Sequence, residues 1–347
     1  MPSNIELGID TFGDITVDVA GRARSHAESL RDVVDEAILA DQVGIDAFGV
    51  GEHHRPDFSI SAPEVVLAAI ASRTSRIALG SAVTVLSTDD PVRVFERFST
   101  LDALSNGRAE VILGRGSFTE SYPLFGYSLQ DYTELFEDKL ALFAELLKGT
   151  PISWRPAHGD TRAPLSVEGV YPSIESGRLR TWVGVGGSPE SVVRAARYGL
   201  PLTLAIIGGS PLRFRPYVDL YLESLEGFGH PVQPVAVHSP GHIAATDKEA
   251  RDELWPHYAA MMTRIGAERG WPPASRAQFE HEDGPDGALC VGSPDTVAKK
   301  IERTIRALGL SRFDMKYSNG TLPHASAMKS IELYGTVVAP MVRSAVT

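Results

Sequence analysis

The chain has 347 residues, of which 43% are hydrophobic and 22% are charged, a balance typical of a folded globular protein and not of a disordered one. Its formal net charge of −11 repels nucleic-acid backbones and anionic lipid surfaces, so we expect neither nucleic acid nor a membrane as a partner. The N-terminal segment lacks the basic and apolar stretches of a secretory signal, and we therefore expect a cytoplasmic protein.

Short β-rich runs alternate with longer segments of helical periodicity, which predicts parallel strands joined by crossover helices. The runs contain Val, Ile, Leu and Ala without polar alternation, as is typical of strands buried on both faces. They cover residues 5–9, 47–50, 77–85, 109–113, 181–185, 201–206, 235–245 and 313–317. This pattern predicts one α/β domain, a (β/α)8 TIM barrel spanning residues 1–347.

The segments between these runs carry apolar residues at helical spacing, which predicts the outer helices of the barrel. The clearest stripes are Leu30, Val33, Val34, Ala37 and Ala40, and then Phe136, Leu140, Phe143 and Leu147. A serine or aspartate before proline marks several helix starts, where the side chain caps free N–H groups: Asp90, Ser188, Ser210 and Ser293. Three segments are too long for plain connectors, and we expect inserted loops or lids at 114–130, 148–180 and 270–292.

Two adjacent histidines, His53 and His54, follow the second predicted strand, at the end where barrels carry their catalytic groups. Neighbouring residues on a strand point to opposite sides, so at most one of the two faces the barrel interior if the strand continues. For the same reason they make a poor metal pair, and we expect no metal. The single cysteine, Cys290, lies in an apolar run that predicts a buried, inert thiol.

Three further strand ends combine glycine with groups suited to phosphate. They hold Arg115 between Gly114 and Gly116, Gly186 and Gly187 before Ser188 and Ser191, and Gly208 in the run 206–211. Glycine lets the backbone approach a ligand, and a guanidinium or a helix N-terminus binds phosphate. The alternatives are a surface salt bridge and a plain helix cap, and neither a Walker nor a G-x-G-x-x-G fingerprint is present. Together these ends predict one phosphorylated cofactor held across several strands.

The order of several motifs along the chain resembles the flavin-dependent bacterial luciferase-like monooxygenases. The motifs are Glu52-His53-His54, residues 82–86, 101–108 and 114–116, and a further segment at 291–297. The resemblance implies an eight-stranded barrel with FMN in its opening or, in sister branches, 8-hydroxy-5-deazaflavin. It departs from the luciferase subunits at Gly114, where they have a reactive cysteine, and at Gly187, where they have a glutamate, so light emission is not implied.

The resemblance also implies roles for individual residues. His53 matches the active-site histidine beside the flavin, Arg115 the phosphate-binding arginine, and Ser188 and Ser191 the hydroxyls at the helix start. Gly116, Gly186, Gly187 and Gly208 belong to the same expected cofactor site. The Ala82–Val83 bond matches a non-prolyl cis peptide under the isoalloxazine ring.

We therefore expect an FMN-dependent monooxygenase that acts on a small organic substrate and O2 through a reduced-flavin oxygen adduct. His53 is the expected proton-transfer group, and Glu52 is expected to tune or orient it. A separate flavin reductase is the expected source of reduced FMN, and relatives favour a homodimer. Two alternatives stay open: a deazaflavin-dependent hydride-transfer oxidoreductase on the same barrel, and a non-catalytic flavin-binding partner subunit.

Overall fold

A closed barrel of parallel strands organises the part of the chain that the structure, a computed structural model, describes: residues 5–18, 20–149 and 151–346. The strands of these ranges are β1 (Glu6–Thr11), β2 (Ala47–Val50), β3 (Ala78–Ser81), β4 (Thr84–Val85), β5 (Ala109–Gly114), β6 (Ile152–Trp154), β7 (Leu165–Val167), β8 (Arg180–Val185), β9 (Leu202–Ala205), β10 (Val235–Ile243), β11 (Cys290–Gly292) and β12 (Arg312–Lys316). The barrel runs in the order β1, β2, β3, β5, β8, β9, β10 and β12, and parallel pairing of β12 with β1 closes it. The predicted (β/α)8 barrel is confirmed.

Helices cover the outside of the barrel. In the described ranges they are α1 (His26–Gln42), α2 (Pro63–Ala71), α3 (Pro91–Ser105), α4 (Ser121–Phe125), α5 (Tyr132–Lys148), α6 (Pro189–Arg197), α7 (Arg215–Gly227), α8 (Asp247–Arg269), α9 (Arg276–Asp283), α10 (Pro294–Leu308), α11 (His324–Leu333) and α12 (Ala339–Val346). The predicted apolar stripes face the strands, since Ala37 of α1 and Leu140 of α5 are fully buried. Along the described ranges we find no helix with the length and apolarity needed to cross a membrane.

The strand bounds follow the predicted runs closely, with one informative break. The run 47–50 has the predicted bounds, whereas 77–85 is divided into β3 and β4. The break is a cis peptide bond between Ala82 and Val83. β4 then pairs with β5 rather than continuing the ladder of β3 with β2.

The barrel interior contains charge as well as a small apolar cluster. Ile112, Trp182 and Ala236 form that cluster, separate from the larger core between the strands and the helices. Next to it, the fully buried Arg312 guanidinium binds Glu110 and Asp314 at 2.5 and 2.8 Å. Burial raises the pKa of Asp314 to about 6, although Arg312 opposes that rise. Each of these three buried charges therefore has an opposite charge in contact.

The three long segments expected to be insertions have structure of their own. The first contains α4 and a 3-10 turn, Leu129–Asp131. The second holds the antiparallel hairpin of β6 and β7, and the third holds α9 and β11, which extends the sheet beside β10. The N-terminal segment in which we expect no secretory signal includes residues 1–4, which lie outside the described residues.

Most of the expected helix caps form. Asp90, Ser188 and Ser210 each accept a hydrogen bond from a backbone N–H in the first turn that follows. Ser293 is the exception: its hydroxyl lies 3.3 Å from the Thr296 hydroxyl and makes no capping hydrogen bond. The motif thus marks the start of α10 correctly, but the serine side chain turns to a different partner.

Candidate functional site

All barrel strands are parallel, so their carboxyl ends lie on one rim, which we call the mouth. The residues expected at the site follow these ends: Glu52 to His54 after β2, Arg115 and Gly116 after β5, and Gly186 to Ser188 after β8. The structure thus brings these strand ends to one side of the barrel.

Three phenylalanines surround His53. Its ring centroid lies 4.9 Å from that of Phe12, 4.5 Å from that of Phe58 and 5.0 Å from that of Phe118. The side chain is 11% exposed, and its Nδ1 lies 3.5 Å from the Glu120 carboxylate. An imidazole shielded from water by aromatic rings and facing one carboxylate is suited to proton transfer.

His54 occupies a different environment from His53. Its Nε2 lies 2.9 Å from Oε1 of Glu52, and the Glu52 carboxylate accepts a second hydrogen bond from the Val85 N–H at 2.8 Å. Glu52 therefore orients His54, and the expectation that it orients His53 is not what the contacts show. The reason is local: β2 ends at Val50, so strand alternation no longer governs the side chains that follow.

The cis peptide bond at Ala82–Val83 lies where the resemblance implies it. Val83 packs against the interior apolar cluster, and two glycines on neighbouring strands leave room for its side chain. A Cβ atom at Gly114 would lie 2.6 Å from Val83, and one at Gly184 would lie 3.0 Å from it. The bulk of Val83 thus leaves no free space for a side chain at Gly114.

The Arg115 side chain lies on the ring of Tyr132, with the guanidinium carbon 4.9 Å from the ring centroid. The Tyr132 hydroxyl donates to the Gly116 carbonyl at 2.9 Å, and the Tyr122 hydroxyl donates to the Arg115 carbonyl at 3.2 Å. Gly116 has a positive φ of 80°, a conformation that favours glycine. Two tyrosines therefore fix the turn that carries Arg115.

The start of α6 gathers hydroxyls and a second arginine. Ser188 caps the helix through the Ser191 N–H, and the two serine hydroxyls lie 3.3 Å apart. Arg194, which sequence reasoning missed, donates to the Ser191 hydroxyl at 3.1 Å and pairs with Glu137 at 2.6 Å. Arg194 lies within α6, and nothing in the neighbouring sequence distinguishes this buried arginine from one on the surface of a helix.

The pKa of a carboxylate at the same helix start reflects the positive charge around it. Glu190 accepts a hydrogen bond from the Ser188 hydroxyl at 2.7 Å, and this bond, aided by the charges of Arg115 and Arg194, holds the pKa of Glu190 below its ordinary value. Arg115 and Ser188 thus act on one carboxylate. Gly186 is open, with no atom within 4 Å of a Cβ placed there.

A family model described as luciferase-like monooxygenase matches residues 11–312. The chain belongs to the luciferase-like monooxygenase family. The uncharacterised protein y4wF of Sinorhizobium fredii is 30% identical over a match that spans 61% of this chain and 59% of that protein. The alkanal monooxygenase alpha chain of Photobacterium leiognathi is 25% identical, with 91% of this chain and 94% of that protein covered.

Solved structures share the fold of this chain. The monooxygenase RslO1 from Streptomyces bottropensis has a TM-score of 0.82 at 20% identity, covering 97% of this chain and 99% of its own. The oxygenating constituent of 3,6-diketocamphane monooxygenase from Pseudomonas putida, in complex with FMN, has a TM-score of 0.77 at 20% identity, covering 97% and 98%. An F420-dependent secondary alcohol dehydrogenase has a TM-score of 0.76 at 16% identity, covering 98% and 99%. One of these neighbours was solved with FMN and another is F420-dependent, so both cofactors occur on this fold.

The glycine-rich strand end in the run 206–211 binds a carboxylate of the protein itself. The Gly209 N–H donates to the Glu282 carboxylate at 2.7 Å, and a Cβ at Gly208 would lie 4.0 Å from the same carboxylate. This backbone donor is therefore already occupied, although the role expected of Gly208 stays a prediction.

Sequence reasoning also missed a buried histidine–aspartate pair in the barrel. Nδ1 of His238, on β10, lies 2.7 Å from the carboxylate of Asp10, on β1, and the His238 ring stacks on Phe12 at a centroid distance of 5.9 Å. Phe12 thus separates this pair from His53. Among the described residues, we find no group of three or more His, Cys, Asp or Glu side chains able to hold a metal ion.

Proposed function

We propose that the chain is an FMN-dependent monooxygenase that oxygenates a small organic substrate with O2. The observation that carries the proposal is the environment of His53, an imidazole at the mouth, enclosed by three aromatic rings. Such an environment excludes water and leaves one proton-transfer group in contact with the reacting molecules. The family membership and the FMN-bound camphane monooxygenase neighbour support the same reaction class.

The groups at the mouth fit FMN chemically. In our proposal Arg115, Ser188 and Ser191 hold the phosphate, because a guanidinium and capped helix N–H groups complement a dianion. Glu190, which now accepts the Ser188 hydroxyl, is exposed and free to turn away when a phosphate enters. Reduced FMN supplies the electrons that activate O2. The protein contributes orientation, exclusion of water by the phenylalanines, and a proton at His53.

The competing assignment is hydride transfer with 8-hydroxy-5-deazaflavin. The two kinds of neighbour have TM-scores of 0.77 and 0.76, so the fold alone does not discriminate between them. Titration of the purified protein with each cofactor, followed by visible absorption, distinguishes the two. Preferential binding of the deazaflavin would replace the FMN assignment.

The decisive experiment separates cofactor binding from chemistry. His53→Ala should bind FMN within a few-fold of the parent yet lose about 10²–10⁴ in coupled turnover, the range for removing a general acid or base. Oxygen uptake, peroxide release and product are followed together, with reduced FMN supplied and O2 present. His54→Ala is the matched control, because this imidazole contacts Glu52 and Phe125 rather than the three phenylalanines around His53. Full coupling in His53→Ala would remove this residue from the mechanism.

We extend the proposal to the setting of the enzyme: a single-domain, cytoplasmic homodimer that receives reduced FMN from a separate flavin reductase. Light scattering of the purified chain measures its oligomeric state. A coupled assay with and without a reductase measures the dependence on a donor. Oxygen consumption no greater than that of free reduced flavin, with substrates present, would instead indicate a non-catalytic flavin-binding subunit.

A further inference from the structure

The loop between β5 and α4 brings a carboxylate to His53. Glu120, the residue before α4, places Oε1 3.5 Å from Nδ1 of the imidazole, and Phe118 of the same loop meets the imidazole edge to face. Both side chains of this contact are largely buried, at 11% and 21% exposure. The contact is longer than a hydrogen bond, but catalytic contacts often tighten only when the ligand is bound.

The contact distinguishes the two ring nitrogens. Among the described residues, Glu120 is the only side chain that forms a hydrogen bond or ion pair with the His53 ring, and Nε2 has no such partner. The hydrogen bond made by one nitrogen of a histidine decides which nitrogen carries the proton. We propose that Glu120 is a positioning residue that holds the proton on Nδ1 of His53 and leaves Nε2 to exchange a proton with the reacting molecules.

The electrostatics of the loop keep Glu120 able to accept that proton. Burial by itself would raise the pKa of Glu120, but the interactions with His53 and with nearby backbone N–H groups outweigh burial and hold the pKa below its ordinary value. Glu120 is therefore a carboxylate at neutral pH. A carboxylate accepts a hydrogen bond and donates none, so it stabilises the form of His53 with hydrogen on Nδ1.

The loop is held in place by contacts that do not involve His53. The guanidinium groups of Arg55 and Arg269 lie 4.9 and 5.2 Å from the Phe118 ring centroid, and Arg55 is in turn paired with Glu268 of α8. Glu268 thus anchors the same region through a carboxylate that does not touch the imidazole. Glu268→Gln is therefore a matched control for a charge change at Glu120.

The tautomer of His53 can be measured in the protein without cofactor. We would label histidine with ¹⁵N and record long-range proton–nitrogen correlations at mildly alkaline pH, where the two tautomers give distinct nitrogen shifts. The chain has ten histidines, and the signal lost in His53→Gln identifies the relevant one. The parent protein should show hydrogen on Nδ1. Hydrogen on Nε2 in the parent would overturn the proposal directly.

Variants of Glu120 test whether the carboxylate is responsible. Glu120→Ala should move the proton to Nε2, the nitrogen favoured in a histidine side chain without a partner, whereas Glu120→Gln should retain the Nδ1 form because its amide oxygen still accepts. Glu268→Gln should leave the tautomer unchanged. A parent-like tautomer in a folded Glu120→Ala would refute the assignment, as would equal changes in Glu120→Ala and Glu268→Gln.

The consequence for catalysis rests on the proposed function and is measured separately. Glu120→Ala should lose on the order of 10–100-fold in coupled turnover, as when the partner that orients a functional histidine is removed, and Glu120→Gln should recover part of that loss. One outcome is that the tautomer changes as expected while the parent protein has no monooxygenase activity. That result would support the positioning role of Glu120 and refute the proposed function. Unchanged turnover in a variant with the altered tautomer would remove the catalytic consequence.

Discussion

Gly114→Ala should destabilise the barrel by a steric clash, and a second mutation at Val83 should remove most of that clash. The Cβ of Gly114→Ala would lie 2.6 Å from Cγ2 and 3.1 Å from Cβ of Val83. The second methyl group of Val83, Cγ1, would lie 3.3 Å from the same added Cβ, so both methyl groups crowd it. Gly114 is itself buried in β5, so the strand must shift if the side chain does not. Overpacking of this kind costs about 1–3 kcal/mol of unfolding free energy.

The matched second mutation is Val83→Ala, which removes the Cγ atom responsible for the shortest contact. Alone, Val83→Ala should lower the unfolding free energy by about 1 kcal/mol. Removing two fully buried methyl groups would cost more, at about 0.8 kcal/mol each, but Val83 is only partly buried. In the double variant the remaining contact is the 3.1 Å approach between Cβ atoms, which a few tenths of an ångström relieve. We therefore expect the double variant to be about as stable as Val83→Ala, with a coupling energy of about 1–2 kcal/mol.

Urea unfolding followed by circular dichroism measures the three free energies without any cofactor. Gly186→Ala is the control, because no atom lies within 4 Å of its added Cβ, and it should change stability by less than about 0.5 kcal/mol. Simple additivity of Gly114→Ala and Val83→Ala would refute the steric argument. So would a Gly114→Ala variant as stable as the parent.

Three other outcomes follow from single contacts. Arg115→Ala should weaken FMN binding by about 1.5–3 kcal/mol in a fluorescence titration, the usual contribution of a charge-assisted hydrogen bond, and an unchanged affinity would contradict the phosphate role. The hydrogen bond to Glu36 raises the pKa of His324 above its ordinary value of 6.5, so the stability it contributes is complete below that value and is lost as the pH rises through the raised pKa. The parent should therefore exceed His324→Gln by about 1 kcal/mol at about pH 5.5 and lose most of that advantage at about pH 9, and a difference independent of pH would rule the linkage out. Asp10→Asn should lower the unfolding free energy by about 1–2 kcal/mol, because the buried 2.7 Å contact with His238 loses its carboxylate; a loss below about 0.5 kcal/mol would show that this contact adds little to stability.

The sequence determined the barrel because each strand and helix carries its own periodic pattern. The run 47–50 coincides with β2, and the apolar stripes of α1 and α5 face the core as their spacing predicts. The resemblance, rather than the local pattern, located the cis bond at Ala82–Val83, since the apolar run 77–85 by itself indicates one continuous strand.

Tertiary structure alone decided which side chains meet at the mouth. Asp10 and His238 are 228 residues apart in sequence, and they touch because closure of the barrel brings β1 and β10 to opposite sides of β12. Glu52 was expected beside His53 but binds His54, and the partner of His53 is Glu120 from an inserted loop. Strand patterns are local and repeat every second residue, whereas the path of a loop depends on everything it packs against. The sequence was therefore enough to predict which functional groups follow each strand. It was not enough to predict which of those groups contact each other.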